Sequence, residues 1–196
     1  MNICLYGASS PDIDKTYIEA TEKLGEEIGK RGHNLVYGGG ANGLMGAAAR
    51  GVVKGGGKVI GIAPSFFKVD GVLFEGCSEF IYTETMRERK AAMEERADAF
   101  VAVPGGIGTF DELFEILSLK QLGRHKKAVA VYNINGYYDG FKKMIDNAVK
   151  EKFMTEASGR MAKIFDNVSD MLTYFENYEC DECDLSVMRK IRFDKG

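Results

Sequence analysis

The sequence predicts a doubly wound α/β domain, a parallel sheet with helices on both faces. Three features predict it: short apolar runs without polar alternation, helical periodicity between those runs, and glycines gathered just after them. Unalternating runs suit strands buried on both faces, as in a parallel sheet covered by helices. Their repeated alternation with helical segments implies a Rossmann-like order. Ligands of such sheets sit beyond the carboxyl ends of the strands, where the glycines lie.

Residues 3–6 form the first predicted strand, closed by Gly7. Residues 34–37 form the second, closed by Gly38-Gly39-Gly40, and residues 59–63 the third, closed by Pro64. Residues 80–82, 99–103 before Pro104 and 128–132 before Asn133 complete the set. Between them, Ile13, Tyr17, Leu24 and Ile28 share one helical face. Phe110, Leu113, Phe114 and Leu117 share another, in a helix predicted over 110–122, and Phe141, Ile145 and Ala148 a third. The expectation is one domain over 1–178 and a tail over 179–196, which turns acidic and then basic at Arg189, Lys190 and Arg192.

A chain of 196 residues suits one domain with a real core. A net charge of −3 leaves no cationic excess for nucleic acid or an anionic membrane, so an anionic ligand needs a local site. The opening MNICLYGASS has neither a basic n-region nor an apolar h-region, and no apolar run approaches the roughly 20 residues of a membrane span. A cytoplasmic protein is expected. Of the cysteines, Cys4 reads as a buried thiol. Cys180 and Cys183 form a lone C-x-x-C without the second pair of a zinc site, which reads as reduced surface thiols.

Two loops are candidates to cradle a phosphate. In Pro104-Gly105-Gly106-Ile107-Gly108-Thr109, glycines let the backbone approach an anion, the amides of a helix start point at it, and the Thr109 hydroxyl adds a donor. Three glycines in four positions exceed what a tight turn needs. Thr109-x-x-Glu112 also spells a capping box, in which the carboxylate would only satisfy a backbone amide. Spacing allows both readings; a carboxylate placed beside a phosphate is electrostatically costly, which favours catalysis. Glu115, one turn on, reads equally as solvated or as lining the pocket.

In the second loop, Gly38, Gly40 and Gly43 satisfy G-x-G-x-x-G between a strand and a helix. The next strand ends in Ala63-Pro64 without an acid for a ribose hydroxyl, and the first turn, Gly7-Ala8-Ser9-Ser10, lacks the fingerprint. Both observations argue against NAD. Gly43 and Gly46 also fit close helix–sheet packing.

Residues 86–97 read as a helix whose apolar stripe, Met86, Met93 and Ala97, also carries Arg89 and Lys90. Cations on an apolar face break a local rule, and such breaks tend to mark function. Surface charges matched by Glu94 and Glu95 at helical spacing are the alternative. Arg is the better anion ligand, since its guanidinium offers fixed, forked donors. His33 and His125 read as loop or surface residues, with no triad or metal-ligand spacing.

Met86-x-x-Arg89-Lys90-x-x-Met93 followed by Pro104-Gly-Gly-x-Gly-Thr-x-x-Glu112 resembles the signature of the LONELY GUY-type cytokinin riboside 5′-monophosphate phosphoribohydrolases. The stretch Tyr37-Gly-Gly-Gly-x-x-Gly-Leu-Met-Gly46 and Leu122-Gly-x-His-Lys126 look like the same family, and the similarity runs from the first strand to the last helix. Such proteins have often carried a lysine decarboxylase label, for which this sequence offers no Schiff-base lysine signal. The resemblance implies a Rossmann-like homodimer that frees an adenine-type base and ribose 5-phosphate, without metal or cofactor. It puts a catalytic pair on Arg89 and Glu112, and nucleotide contacts on Lys90, Gly106, Gly108, Thr109 and Ser118. Gly105, Ile107, Ser9, Gly39 and Gly40 join the candidate substrate-binding set. Met86-Arg87 departs from the Met-His of many relatives and bears on the choice between AMP and an N6-modified AMP. A non-catalytic nucleotide or cofactor carrier on the same fold is the rival expectation.

Overall fold

The computed structural model describes residues 1–180 and has the predicted architecture. Seven parallel strands stand in the order β4-β3-β2-β1-β5-β6-β7. They are β1 (Asn2–Tyr6), β2 (Asn34–Tyr37), β3 (Val59–Pro64), β4 (Glu79–Thr83), β5 (Ala99–Ala102), β6 (Ala128–Tyr132) and β7 (Lys163–Phe165). From β1 the chain winds outward through β2, β3 and β4, then returns to β5 on the other side of β1. The strand order therefore reverses between β1 and β5. Open α/β sheets bind ligands at such a point, beyond the carboxyl ends, which here carry Gly7-Ala8-Ser9 and Val103-Pro104-Gly105.

Alternate residues of one strand feed opposite cores. Ile3 and Leu5 of β1 join Leu35 and Tyr37 under α1 (Lys15–Lys30), α2 (Gly43–Lys54) and the helix Val168–Glu176. Cys4 and Tyr6 join Val36, Phe100 and Val129 under α3 (Met86–Arg96) and α4 (Ile107–Gln121). Cys4 is buried, as expected, and burial pushes its thiol well above the ordinary range. On α1, Leu24 and Ile28 are fully buried, while Tyr17 and, just before the helix, Ile13 pack at the edge of the same core.

β7 lies outside the predicted set. Three residues beginning with a lysine make no apolar run, and only pairing with β6 makes them a strand. Gly46 also differs from its expected role, because a Cβ there would collide with Ala41 O of the preceding loop rather than with the sheet. Cys183 and the basic part of the tail lie outside the described residues. Among the described residues no helix is long and apolar enough to cross a membrane.

Candidate active site

Thr-x-x-Glu stands at the start of both α3 and α4, at Thr85 and at Thr109, and these two copies do different work. At Thr85 the motif is a capping box: Glu88 N donates to Thr85 Oγ1 at 3.2 Å, and Glu88 Oε2 accepts from Glu84 N at 2.8 Å and Thr85 N at 3.2 Å. At Thr109 it is not. α4 starts at Ile107, three residues earlier than predicted, with Gly106 as its N-cap, so Thr109 already lies inside the first turn. Glu112 is thereby released from capping and turns into the protein.

There it meets Arg89. Nη1 of Arg89 donates to Glu112 Oε1 at 2.8 Å, and Nε donates to Ile62 O at 3.2 Å, tying the guanidinium to the end of β3. Arg89 and Glu112 are only 7% and 8% exposed, so each is the other's main compensation for lost hydration. Burial raises the carboxyl pKa of Glu112 above its ordinary value, and the neighbouring Arg89 pulls it part of the way back. Gly38, at the end of β2, presents its bare α-carbon to Arg89 Nη2, where a methyl group would collide. Lys90 bridges instead to Asp111 Oδ2 at 3.0 Å and Glu115 Oε2 at 2.6 Å. The cations of α3 thus pair with α4, where the alternative reading had matched them to Glu94 and Glu95. Tyr6, Lys90, Glu94, Glu112, Glu115 and Ile116 line a small pocket.

Beside this pair lies the glycine loop. Gly105 is buried, Gly106, Ile107 and Gly108 are exposed, and the Thr109 hydroxyl packs against the Gly105 α-carbon. The first-turn amides of α4 have no intrahelical acceptor, and Gly106 supplies no side-chain cap. An anion fits such an end. The start of α2 is closed, because Leu44 N and Met45 N both donate to Ala8 O. Gly39 and Gly40 are engaged by their own chain: Gly39 O accepts from Phe74 N at 2.9 Å, Gly40 bridges to Leu73, and Ala41 N donates to Val72 O.

The family profile described as "Possible lysine decarboxylase" matches residues 45–175. Cytokinin riboside 5′-monophosphate phosphoribohydrolase LOG2 of Arabidopsis thaliana is 40% identical over 90% of this chain and 83% of its own length. The phosphoribohydrolase LOG of Oryza sativa subsp. japonica is 41% identical over 90% of this chain and 73% of its own. The chain belongs to the LONELY GUY-type phosphoribohydrolase family. Among solved structures, the molybdenum cofactor carrier protein of Chlamydomonas reinhardtii superposes with a TM-score of 0.67 at 20% identity, over 89% of this chain and 95% of that one. The molybdenum cofactor binding protein of Rippkaea orientalis gives 0.67 at 21%, over 89% and 94%. Those two share the fold.

Of the residues that the LONELY GUY resemblance had nominated, the fold gathers Arg89, Lys90, Glu112 and the stretch 105–109 around the carboxyl ends of β1, β3 and β5. Ser9 is exposed on the loop after β1, next to Ala8, whose amide donates to Pro104 O at 3.1 Å. Ser118 lies apart, about 16 Å along α4 from Ile107 at 1.5 Å per residue. It is exposed, and its hydroxyl donates to Phe114 O at 2.7 Å.

Sequence reading missed Tyr137 and Tyr138, whose hydroxyls donate to Gly105 O at 2.6 Å and Val103 O at 2.8 Å. Their signal was position: they follow β6, the strand beside β5, at its carboxyl end. His125 needs correction as well. It is buried beneath α4 with its ring 5.3 Å from Phe100, Nε2 donating to Ile116 O at 2.9 Å and Nδ1 accepting from Lys127 N at 3.2 Å. Burial pushes its pKa down, keeping it a neutral strut. His33 is half-buried, with Nε2 3.0 Å from Glu176 Oε1.

Proposed function

We propose that this protein hydrolyses the N-glycosidic bond of a purine nucleoside 5′-monophosphate, AMP or an N6-modified AMP, giving the free base and ribose 5-phosphate. The observation that carries the reading is the buried Arg89–Glu112 pair beside an uncapped, glycine-opened helix start at the switch point of the sheet. The names of the relatives, cytokinin riboside 5′-monophosphate phosphoribohydrolases, support the same substrate class.

The chemistry follows from where charge develops. As the C1′–N bond lengthens, the ribosyl carbon becomes cationic and the departing base gains electron density. Glu112, ionised and held in a poorly solvated place, stabilises the cation and accepts a proton from the attacking water. The water oxygen bonds to C1′, the C1′–N bond breaks, and the proton taken up by Glu112 passes to the departing base, so that the base leaves neutral and the carboxylate is restored. Arg89 positions the nucleotide and offsets the negative charge on the leaving base. Amides of residues 106–109 and the Thr109 hydroxyl hold the 5′-phosphate, so binding remote from the reacting bond orients it. Incubating pure protein with AMP and with isopentenyl-adenosine monophosphate tests the reading by chromatography. Free base is the expected product from at least one of them; intact nucleotide from both would leave a carrier on the same fold.

The proposal includes a homodimer. The helix Asp139–Lys150 bears the apolar Phe141 and Ile145, yet none of its residues is buried within the chain. Phe114 and Phe153 beside it are 39% and 86% exposed and line the same groove with Leu117 and Met154. A second copy covering that groove removes the apolar surface from water. Light scattering is expected to give twice the mass of one chain, and the monomer mass at micromolar concentration would refute this part.

A further inference from the structure

We propose that Tyr137 is a positioning residue for the phosphate of the substrate, acting through the Gly105–Gly106 peptide. This rests on the reading that the loop over residues 105–109 holds the 5′-phosphate. The carbonyl and amide of a trans peptide point in opposite directions, so fixing one fixes the other. The plane between Gly105 and Gly106 is flanked by two residues without a Cβ and is therefore the least hindered in the loop to turn over. Tyr137 donates its hydroxyl to Gly105 O at 2.6 Å. With that oxygen held towards Tyr137, the Gly106 amide is turned the other way, away from the Tyr137 hydroxyl. A flipped plane would present a carbonyl oxygen to the phosphate instead of a donor.

Three further observations support the assignment. Gly105 is buried while Gly106 is exposed, so the peptide spans the boundary between protein and solvent. Tyr138 donates to Val103 O at 2.8 Å, so neighbouring tyrosines pin the turn on either side of Pro104, which has no amide of its own. The Tyr137 ring meets Tyr138 edge-on at 5.1 Å and Tyr17 edge-on at 6.3 Å, so the hydroxyl is aimed by packing. Tyr137 nonetheless remains 42% exposed. Core filling alone would be served as well by phenylalanine; the hydroxyl is the part that needs a reason, and Gly105 O supplies it.

Tyr137→Phe keeps the ring and removes only the donor. The expected result is a roughly tenfold rise in KM for AMP with kcat changed less than twofold, the loss of about one hydrogen bond's effect on binding. Inorganic phosphate, tested as a competitive inhibitor, weakens by the same factor, while inhibition by adenosine, which has no phosphate, is unchanged. Tyr138→Phe is the comparator, expected to lower the melting temperature without altering the ratio of phosphate to adenosine inhibition. A Tyr137→Phe enzyme with wild-type KM and phosphate inhibition overturns the inference, as does equal weakening of phosphate and adenosine. Should wild-type protein itself bind neither AMP nor phosphate, the reading of the loop fails instead, so the two failures are distinct.

Discussion

Glu112→Gln is expected to lower base release from AMP by about three orders of magnitude, the scale of a lost general base together with a lost transition-state charge. Glutamine keeps the length of the side chain and retains an oxygen to accept from Arg89 Nη1, the bond that glutamate makes at 2.8 Å. The variant therefore removes charge and little else, and chromatography of AMP digests reads the result directly; a wild-type rate would take Glu112 out of the mechanism. The pH profile carries a second signature. Burial raises the Glu112 pKa above its ordinary 4.5, with Arg89 opposing the shift. Because the ionised form is the working one, kcat/KM should fall on the acid side through a pKa above that value. Stability runs the other way. A carboxyl whose folded pKa exceeds its unfolded one binds its proton more tightly when folded, so this group's contribution to stability falls as pH rises from the ordinary value through the raised one. Glu112→Gln is expected to remove that pH dependence as well.

Why this carboxylate could not be assigned from the sequence is visible in the Thr-x-x-Glu copies at Thr85 and Thr109. Both satisfy the pattern of a capping box. What separates them is where the helix starts. Thr85 stands outside its helix as N-cap, whereas Gly106 takes that place for α4 and carries Thr109 into the first turn. Glycine and threonine cap a helix about equally well, so the local signal is slight; the decision is tertiary, because Arg89 waits on α3. Arg89 was nominated because a cation on the Met93–Ala97 stripe breaks the apolar pattern, although Glu94 and Glu95 at helical spacing offered it a local match; the structure buries it against Glu112 instead. Tyr137 and Tyr138 were not, because their bonds to Gly105 O and Val103 O cross from one strand end to another, and no periodicity records that.

The strands were legible for the same physical reason that β7 was not. Ala-Phe-Val-Ala of β5 is buried at every position between two layers of helices and must be apolar throughout. β7 stands at the sheet edge, where Lys163 is exposed and Ile164 and Phe165 are only half-buried. His125 misled in the opposite sense. Gly-Arg-His-Lys-Lys is polar enough to read as surface, yet the chain turns under α4 and buries the imidazole against Phe100.

Gly38→Ala is expected to cost nearly as much activity as losing Arg89 outright, about two orders of magnitude or more. The residue never touches substrate in this account. Its backbone lies outside the left-handed region, so alanine suits the main chain; the obstacle is the guanidinium lying against the bare α-carbon. An added methyl would overlap Nη2 and stand 3.0 Å from Cζ. A free arginine would swing aside, but this one is held at 3.2 Å by Ile62 O and at 2.8 Å by Glu112, and it cannot tilt without loosening one of them. Either change moves the charge away from the carboxylate it accompanies. Since Gly38 acts only through Arg89, the double variant Gly38→Ala/Arg89→Ala should be no slower than Arg89→Ala alone, a non-additivity that independent sites do not show. Gly140→Ala, where a Cβ meets nothing within 4 Å, serves as the neutral control. Additive losses in kcat/KM, or full activity in Gly38→Ala, would mean that the second glycine loop has no hold on the arginine.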